Sequence, residues 1–280
     1  MNKLVGFIGT GSMGQTLVEA LIRSKALRPS QILLSNRTRS KAESLAESHP
    51  GIRIAENNAE LVRKADWVFL CVKPRDYRDV LDEIGGRAGK EQMIISITSP
   101  VMIRDLEAAL PSKIAKIIPS ITHAVLDGTC LFIPGSRLTL RDREELLNLL
   151  SAIGTPLEID ERHCRVASDL ASCGPAFLAR FLEQLARAAG EVTGLPRDTA
   201  LLLIIRMALG TARMLTEGGF TLESLQERVA VPGGITRKGL DLLERELDPV
   251  LIRLFRLTHA KFVEDVEKVR QSLQGAGSKG

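Results

Sequence analysis

Residues 6–14 read GFIGTGSMG, a glycine-rich stretch between an apolar run and a helical pattern. Gly9, Gly11 and Gly14 give G-x-G-x-x-G, in which the first glycine permits a tight turn, the second lets the backbone approach a pyrophosphate, and the third allows a helix to pack closely on a strand. The N-terminus of that helix can hold the phosphate charge. An ordinary structural glycine turn is the alternative, and the surrounding pattern decides between the two.

The first half of the chain alternates short apolar runs with helical patterns. The predicted strands are LVGFI (4–8), ILLSN (32–36), IRIA (52–55), WVFLCV (67–72), MIISIT (93–98), IAKII (114–118), CLFIP (130–134) and PLEID (156–160). The predicted helices cover 13–24, 40–48, 59–64, 77–84, 103–110 and 141–153. Continuous apolar strands are typical of a parallel sheet covered on both faces. A βαβ series of this kind predicts an α/β Rossmann domain over residues 1–160 and favours the dinucleotide site over a structural turn.

The second half of the chain has helical patterns throughout, which predicts an all-α domain over residues 161–273. Thr221, with Glu223 in the following turn, predicts one helix start, and the pair Asp248 and Pro249 predicts another. In TALLLIIRMALGTARML (199–215) the apolar residues cover nearly the whole circumference of a helix. That pattern favours a subunit interface, with a helix central to its own domain as the alternative. Residues 274–280, QGAGSKG, are predicted to be a disordered tail.

Composition and charge narrow the function classes. Hydrophobic residues make up 44% of the chain and charged residues 26%, as in globular proteins. The 38 Lys and Arg residues are interleaved with the 34 Asp and Glu residues, which predicts a solvated surface and no nucleic-acid partner. The longest apolar run, ALLLIIRMALG (200–210), contains Arg206 and is shorter than the roughly 20 residues of a membrane span. With no leader pattern at the first residues either, we expect a cytoplasmic protein without membrane contact.

The four cysteines give no sign of a metal or disulfide framework. Cys71, Cys130, Cys164 and Cys173 lack C-x-x-C spacing, and we predict buried free thiols and no metal site.

The residues after the second strand indicate which dinucleotide binds. The stretch SNRTRSK (35–41) lacks the carboxylate that NAD sites use for the ribose hydroxyls, whereas Arg37 can pair with a 2′-phosphate. NADP is therefore favoured, with NAD possible and a merely solvated Arg37 as the alternative. Lys73 and Pro74 end the fourth strand, where ligands bind in such sheets, although a structural strand end explains them equally well. The full predicted cofactor set is Gly9, Thr10, Gly11, Ser12, Met13, Gly14, Asn36, Arg37, Thr38, Asn58, Val72, Lys73, Pro74 and Thr98.

A second glycine motif, VPGGIT (231–236), lies between helical patterns. Taken alone it is typical of an ordinary turn between helices. Its order in the chain relative to the other motifs is more informative. These motifs are GFIGTGSMG (6–14), NRT (36–38), VKP (72–74), CGPAF (173–177) and PGGIT (232–236).

In that order they resemble the pyrroline-5-carboxylate reductase family over nearly the whole chain. The resemblance implies an NAD(P)H-binding Rossmann domain and a helical, 6-phosphogluconate-dehydrogenase-like dimerisation domain, with a small cyclic imine carboxylate as substrate. It also implies that amides of the Gly233 and Gly234 loop hold the substrate carboxylate, that Thr236 is the catalytic residue that hydrogen-bonds the ring nitrogen, and that Ile235 and Ser120 adjoin the substrate.

Some residues differ from the usual enzyme motifs. Val231 and Ile235 replace two hydroxyl residues, Ser120 replaces an asparagine, and ASCGPAF (171–177) replaces a Ser-Gly-Ser-Gly-Pro-Ala-Tyr motif. The altered stretches SITSPV (96–101), IPSIT (118–122) and SDLASCGPAF (168–177) resemble the late-competence, ComER-type branch of the family. Two hypotheses follow: an NADPH-dependent reductase of pyrroline-5-carboxylate or a related imine, and a catalytically weak dinucleotide-binding regulator linked to competence or sporulation. A hydroxy-acid dehydrogenase is a third class, but no lysine is well placed for its catalysis.

Overall fold

The computed structural model describes residues 3–274, and in them eight strands form a single sheet. In chain order the strands are β1 Val5–Ile8, β2 Ile32–Ser35, β3 Arg53–Ile54, β4 Trp67–Leu70, β5 Met93–Ser96, β6 Lys113–Ile118, β7 Thr129–Pro134 and β8 Thr155–Glu158. Each lies within, or within one residue of, an apolar run predicted to be a strand. The predicted α/β Rossmann domain is confirmed.

The sheet order is β3-β2-β1-β4-β5-β6-β7-β8, and all neighbours are parallel except the antiparallel pair β6 and β7. Strand β1 lies between β2 and β4, so the chain winds outward in opposite directions from this point. Ligands of such sheets bind in the crevice at the carboxyl ends of the strands, where the winding direction changes. That crevice begins just after Ile8 and Leu70.

Helices cover both faces of the sheet. In this part of the chain they are α1 Ser12–Arg23, α2 Arg39–Ser48, α3 Asn58–Lys64, α4 Tyr77–Ile84, α5 Ile103–Ala109 and α6 Leu140–Ser151. Strand β1 is apolar on both sides because both of its faces are buried. Val5 and Phe7 belong to one buried cluster, while Ile8 belongs to the other. The Phe7 ring stacks on Phe69 of β4, with centroids 4.8 Å apart. This two-sided burial fixes the strand end that carries the glycine turn.

The C-terminal part of the chain is helical, which confirms the predicted all-α domain. Its helices are α7 Cys164–Ser168, α8 Gly174–Thr193, α9 Arg197–Thr216, α10 Leu222–Val229 and α11 Ile235–Gln274, with a π-helical turn, Asp169–Cys173, between α7 and α8. Thr221 is the N-cap of α10 and accepts a hydrogen bond from the amide of Ser224, as its sequence predicts.

The helix start predicted at Asp248 and Pro249 is wrong, because Pro249 lies inside the 40-residue helix α11. A proline at an interior position removes the hydrogen bond to the carbonyl four residues earlier, here that of Arg245. A single missing bond does not end a helix whose following turns are stabilised by packing. Val269 of α11 is buried in the apolar cluster on one face of the sheet.

The chain divides into two compact units. Among the described residues, one unit comprises 3–173 and 258–274, whereas the other is Gly174–Leu257. The boundary predicted near residue 160 follows the last strand. The first unit extends further because the end of α11 packs on it: Thr258 donates a hydrogen bond to the buried carboxylate of Asp169, with 2.6 Å between the oxygens. Apart from Gln274, the tail predicted for 274–280 lies outside the described residues.

The apolar helix α9 is longer than the sequence run that was measured against a membrane span. It has 20 residues with a mean hydropathy of 1.4 over its most apolar window, so by length and composition alone it could cross a bilayer. The prediction that this apolar segment is too short to span a membrane is wrong for the whole helix, because it counted only residues 200–210. Core and interface helices of other proteins have the same composition, so this feature alone does not indicate a membrane.

Candidate functional site

The glycine turn after β1 has three glycines with three different surroundings. Gly9 has φ +98°, and a Cβ atom there would lie 2.6 Å from the carbonyl oxygen of Cys71. A Cβ atom on Gly14 would lie 2.3 Å from the carbonyl oxygen of Gly9. A Cβ atom on Gly11, in contrast, has nothing within 4 Å. The fold itself therefore requires glycine at two of these positions, while the third leaves an open space beside the backbone.

Helix α1 begins at this open space without a protein cap. Gly11 is its N-cap, no side chain caps it, and its first turn has no acidic residue. Its first amides are thus available to an anion. The Thr10 hydroxyl is buried and has no partner among the described residues, while the Thr10 amide donates to Asn36 Oδ1 at 2.9 Å. An uncapped helix start, an unpartnered buried hydroxyl and an open backbone fit the pyrophosphate of a dinucleotide.

An open groove of about 480 Å³ extends from the glycine turn along the carboxyl ends of the strands. It brings together eight residues of the predicted cofactor set: Gly9, Gly11, Asn36, Arg37, Thr38, Asn58, Val72 and Lys73. Six other members of that set do not line it: Thr10, Ser12, Met13, Gly14, Pro74 and Thr98. Among these, Thr98 donates a hydrogen bond to the carbonyl of Val72 at 3.1 Å, so it supports the wall of the groove.

Asn58 is held in place by a residue that the sequence did not reveal. Its Oδ1 accepts from the Ser35 hydroxyl at 2.7 Å, and its Nδ2 donates to Glu83 Oε2 at 2.7 Å. The other oxygen of Glu83 accepts from the amides of Asn58 and Ala59, at the start of α3. Glu83 therefore caps α3 and orients Asn58 at once. No local signal marks it, because it lies 25 residues away in the chain.

Basic side chains surround the end of the groove beside β2. Arg37 is 80% exposed and forms an ion pair with Asp76, with 3.2 Å from Nη1 to Oδ1. Thr38 is the N-cap of α2, and its hydroxyl makes no capping bond. Lys41 also lines the groove and was missed, although its position four residues after Arg37 on a helix start is the signal that could have found it. Asp76 was missed as well, because only the folded chain brings it to Arg37.

Two titratable groups near the end of β4, Cys71 and Tyr77, are held in their neutral forms. Burial raises the pKa of the Cys71 thiol, so it stays protonated at neutral pH. Burial likewise raises the pKa of Tyr77, whose hydroxyl lies 2.7 Å from the Ser96 hydroxyl. Neither group is suited to act as a nucleophile or an acid. Within residues 3–274, no three His, Cys, Asp or Glu side chains group as a metal site requires.

Ser120, predicted to adjoin the substrate, is fully buried just after β6. Its hydroxyl accepts hydrogen bonds from the amide and the hydroxyl of Thr122, at 3.4 and 2.9 Å. The preceding carbonyl, that of Pro119, accepts from the hydroxyl of Ser172 in the π-helical turn at 2.8 Å. Ser172, within the altered motif SDLASCGPAF, therefore supports the loop that carries Ser120, a role that the sequence did not predict.

The glycine loop of the second unit ends where helix α11 begins. Gly233 has φ +75°, and the amide of Gly234 donates to the carbonyl of Val231 at 3.0 Å. Lys238 is the first residue of α11 whose amide bonds back to this loop, to Gly234 at 3.4 Å. The amides of Ile235, Thr236 and Arg237 are thus the free donors of a helix N-terminus. The Thr236 side chain is exposed and makes no hydrogen bond to a described residue.

Comparison with known proteins finds a matching family model for each part of the chain. Residues 4–100 match the model described as NADP oxidoreductase, coenzyme F420-dependent, and residues 161–264 match the pyrroline-5-carboxylate reductase dimerisation model. The chain is 31% identical to the pyrroline-5-carboxylate reductase of Methanosarcina acetivorans, over 87% of this chain and 90% of the relative. It belongs to the pyrroline-5-carboxylate reductase family. It is also 37% identical to ComE operon protein 4 of Bacillus subtilis, over 95% of this chain and 98% of the relative, which confirms the predicted likeness to the late-competence branch.

Solved structures of the pyrroline-5-carboxylate reductase family share the fold. The enzyme from Coxiella burnetii superposes with a TM-score of 0.81 at 26% identity, covering 97% of this chain and 99% of the other. The Plasmodium falciparum pyrroline carboxylate reductase, solved with NADP bound, superposes with a TM-score of 0.79 at 23% identity, covering 98% and 99%. The protein therefore has the fold of these reductases along nearly its whole length.

The pyrroline-5-carboxylate reductase dimerisation region leaves its apolar side chains uncovered in a single chain. Leu202, Leu203 and Ile205 of α9 are 58 to 60% exposed, and Ala200 is the one buried residue of that helix. In α8, likewise, Ala186 alone is buried. Exposed apolar surface of this extent marks an interaction site. Both helices lie within the region that matches the dimerisation model.

Proposed function

We propose that the protein is an NADPH-dependent reductase that converts pyrroline-5-carboxylate, or a related small cyclic imine carboxylate, to the saturated amino acid. The observation that carries this proposal is the start of α11, where a Pro-Gly-Gly turn, three free amides and the unengaged hydroxyl of Thr236 lie together. This arrangement supports binding of one carboxylate and one ring nitrogen. Relatives named pyrroline-5-carboxylate reductase, at 28 to 31% identity, support the same assignment.

The reaction makes modest demands on the protein. When bound, NADPH supplies the hydride that adds to the imine carbon. A protonated imine is already electrophilic, so the protein must mainly align the ring and exclude other orientations. The resemblance assigned the carboxylate to amides of the Gly233 and Gly234 loop, but the Gly234 amide donates to the carbonyl of Val231. In this proposal the amides at Ile235 and Thr236 bind the carboxylate instead, through the positive end of the helix, and the Thr236 hydroxyl hydrogen-bonds the ring nitrogen. No strong acid or base is required in this scheme.

NADP(H) is the proposed cofactor, with NAD(H) as a weaker ligand. Arg37 and Lys41 give two cations at the end of the groove, and the uncapped start of α2 at Thr38 adds a third attraction for a 2′-phosphate. The described groove has Asn36 at the position where NAD sites place a carboxylate. A second copy of the chain is the proposed partner of the helical unit, and the cytoplasm is the proposed location.

A regulatory role is the second candidate function, and one observation favours it. Val231 and Ile235 are 61% and 93% exposed on the glycine loop, where apolar side chains replace hydroxyl donors. In this reading the Rossmann site and the dimer are retained while catalysis is weak. The 37% identity to ComE operon protein 4 is in keeping with it. Turnover measurements separate the two roles.

We expect Thr236→Val to lower kcat for imine reduction by about tenfold to a hundredfold, because the nitrogen loses its hydrogen-bond partner. NADPH affinity should be unchanged. The measurement is the loss of NADPH absorbance with pyrroline-5-carboxylate, together with an NADPH titration. Thr236→Ser, which keeps the hydroxyl, is the matched control and should retain most of the activity. Equal rates for the Val and Ser variants would remove Thr236 from the mechanism.

A further inference from the structure

We propose that Asp76 is a specificity-determining residue. By holding Arg37 in an ion pair, it lowers the affinity for NADP(H) relative to the affinity for NAD(H). This inference rests on the proposed cofactor function and concerns the same groove. Asp76 ends the short helical turn Pro74–Asp76 after β4, and it is the residue just before α4. It is far from Arg37 in the chain, so the pair exists only because β1, β2 and β4 are neighbours in the sheet.

The carboxylate of Asp76 points to Arg37 and not to its own helix. As the N-cap of α4 it makes no side-chain capping bond. Its Oδ1 instead lies 3.2 Å from Arg37 Nη1, and 4.0 Å from Arg75 Nε. Its side chain is 22% exposed, whereas that of Arg37 is 80% exposed. The acid is therefore the less exposed partner of the pair.

A bound 2′-phosphate meets this carboxylate in one of two ways. The phosphate can take the Nη1 edge of Arg37, which displaces Asp76 and leaves it without its 3.2 Å partner. It can also take another edge of the guanidinium, which offers five donors, and then two anions share one cation. Both arrangements weaken binding of the doubly charged 2′-phosphate, since it is repelled by the like charge of the Asp76 carboxylate. The ribose hydroxyl of NAD is neutral and does not incur this repulsion.

Because Lys41 and Thr38 still attract the phosphate, Asp76 lowers the preference for NADP over NAD without abolishing it. Neither side chain is paired with an acid among the described residues, and both line the groove. A phosphate thus keeps two attractive groups while Asp76 repels it. The balance between these terms sets the ratio of the two affinities, and removing the Asp76 charge should shift that ratio toward NADP.

The test is calorimetric titration of NADPH and NADH into four variants and the wild-type protein. The variants are Asp76→Asn, Arg37→Ala, the double variant, and Asp79→Asn. Asp79 is the matched control, because it also lines the groove but forms no ion pair with a described cation. Thermal melting of each variant establishes that it is folded.

We expect Asp76→Asn to tighten NADPH binding about tenfold at low ionic strength and to leave NADH nearly unchanged. The gain should shrink in high salt, since the groove is open to solvent. It should also be smaller in the Arg37→Ala background, and Asp79→Asn should give a smaller gain than Asp76→Asn. Arg37→Ala alone should weaken NADPH binding more than NADH binding.

Equal effects of Asp76→Asn on both nucleotides, or an equal gain from Asp79→Asn, would overturn the inference. If wild type binds NADPH and Asp76→Asn binds it no more tightly, the inference fails while the proposed function stands. If no folded variant binds either nucleotide, the inference and the proposed function fail together.

Discussion

We expect Gly11→Ala to leave the melting temperature unchanged and to weaken NADPH binding by about a hundredfold, roughly 2.7 kcal/mol. The added Cβ meets no atom of the protein within 4 Å, and the backbone there, with φ −73° and ψ −177°, is an ordinary extended conformation. The methyl group instead fills the space beside the first amides of α1, where the pyrophosphate binds in the proposed function. Thermal melting and calorimetric titration measure the two effects separately.

Gly14→Ala is the matched comparison, because it adds the same methyl group to the same turn. Its Cβ would lie 2.3 Å from the carbonyl oxygen of Gly9, so the backbone must shift. We expect it to lower the free energy of unfolding by about 1 to 3 kcal/mol, as overpacking does. Wild-type NADPH affinity in Gly11→Ala, or a melting temperature as low as that of Gly14→Ala, would contradict the assignment of the open space to a ligand.

Ile205→Glu should convert the protein from a dimer to a monomer and lower its melting temperature. Ile205 is 58% exposed in the single chain, in a helix that has Ala200 as its one buried residue. If a second copy covers it, the charge is placed in an apolar interface, and a two-fold axis places it there twice. Full burial of one such side chain contributes about 1.5 to 3 kcal/mol, and a symmetric interface buries it in both copies. Light scattering coupled to size exclusion measures the mass.

Leu140→Glu is the control for this substitution. Leu140 is also an exposed apolar residue, but it begins α6 of the Rossmann unit, outside the region that matches the dimerisation model. An acid in the first turn of a helix is favourable, so this variant should keep the wild-type mass and melting temperature. A monomeric wild-type protein, or a dimeric Ile205→Glu variant with an unchanged melting temperature, would show that α9 is covered in some other way.

Strand positions could be predicted from the sequence because burial on both faces leaves a strong local pattern. VGFI of β1 and WVFL of β4 are apolar at nearly every position, and both are completely buried. The glycine turn was predictable for a related reason, since Gly9 and Gly14 are required by local backbone geometry. Pro249 shows the limit of such signals, because tertiary packing of the later turns of α11 outweighs a helix-start pattern.

The polar contacts of the groove could not be predicted in the same way. Glu83 orients Asn58, and Asp76 pairs with Arg37, across 25 and 39 residues of chain. No periodicity relates residues that far apart, and only the order of the strands brings them together. Both contacts are accordingly properties of the fold. The glycine loop at Val231 differs from these contacts, because its motif can be recognised in the sequence, whereas its chemistry depends on the substrate that it binds.

NADPH oxidation with pyrroline-5-carboxylate is the most direct test of the central claim. Wild type and a Val231→Ser, Ile235→Thr double variant are compared, which restores two hydroxyl donors to the loop. The proposed mechanism relies on backbone amides and Thr236, so it predicts robust wild-type turnover with at most a modest gain in the double variant. Turnover that is absent in wild type and present only in the double variant would contradict it, and would mean that the family fold is retained here without the reductase activity.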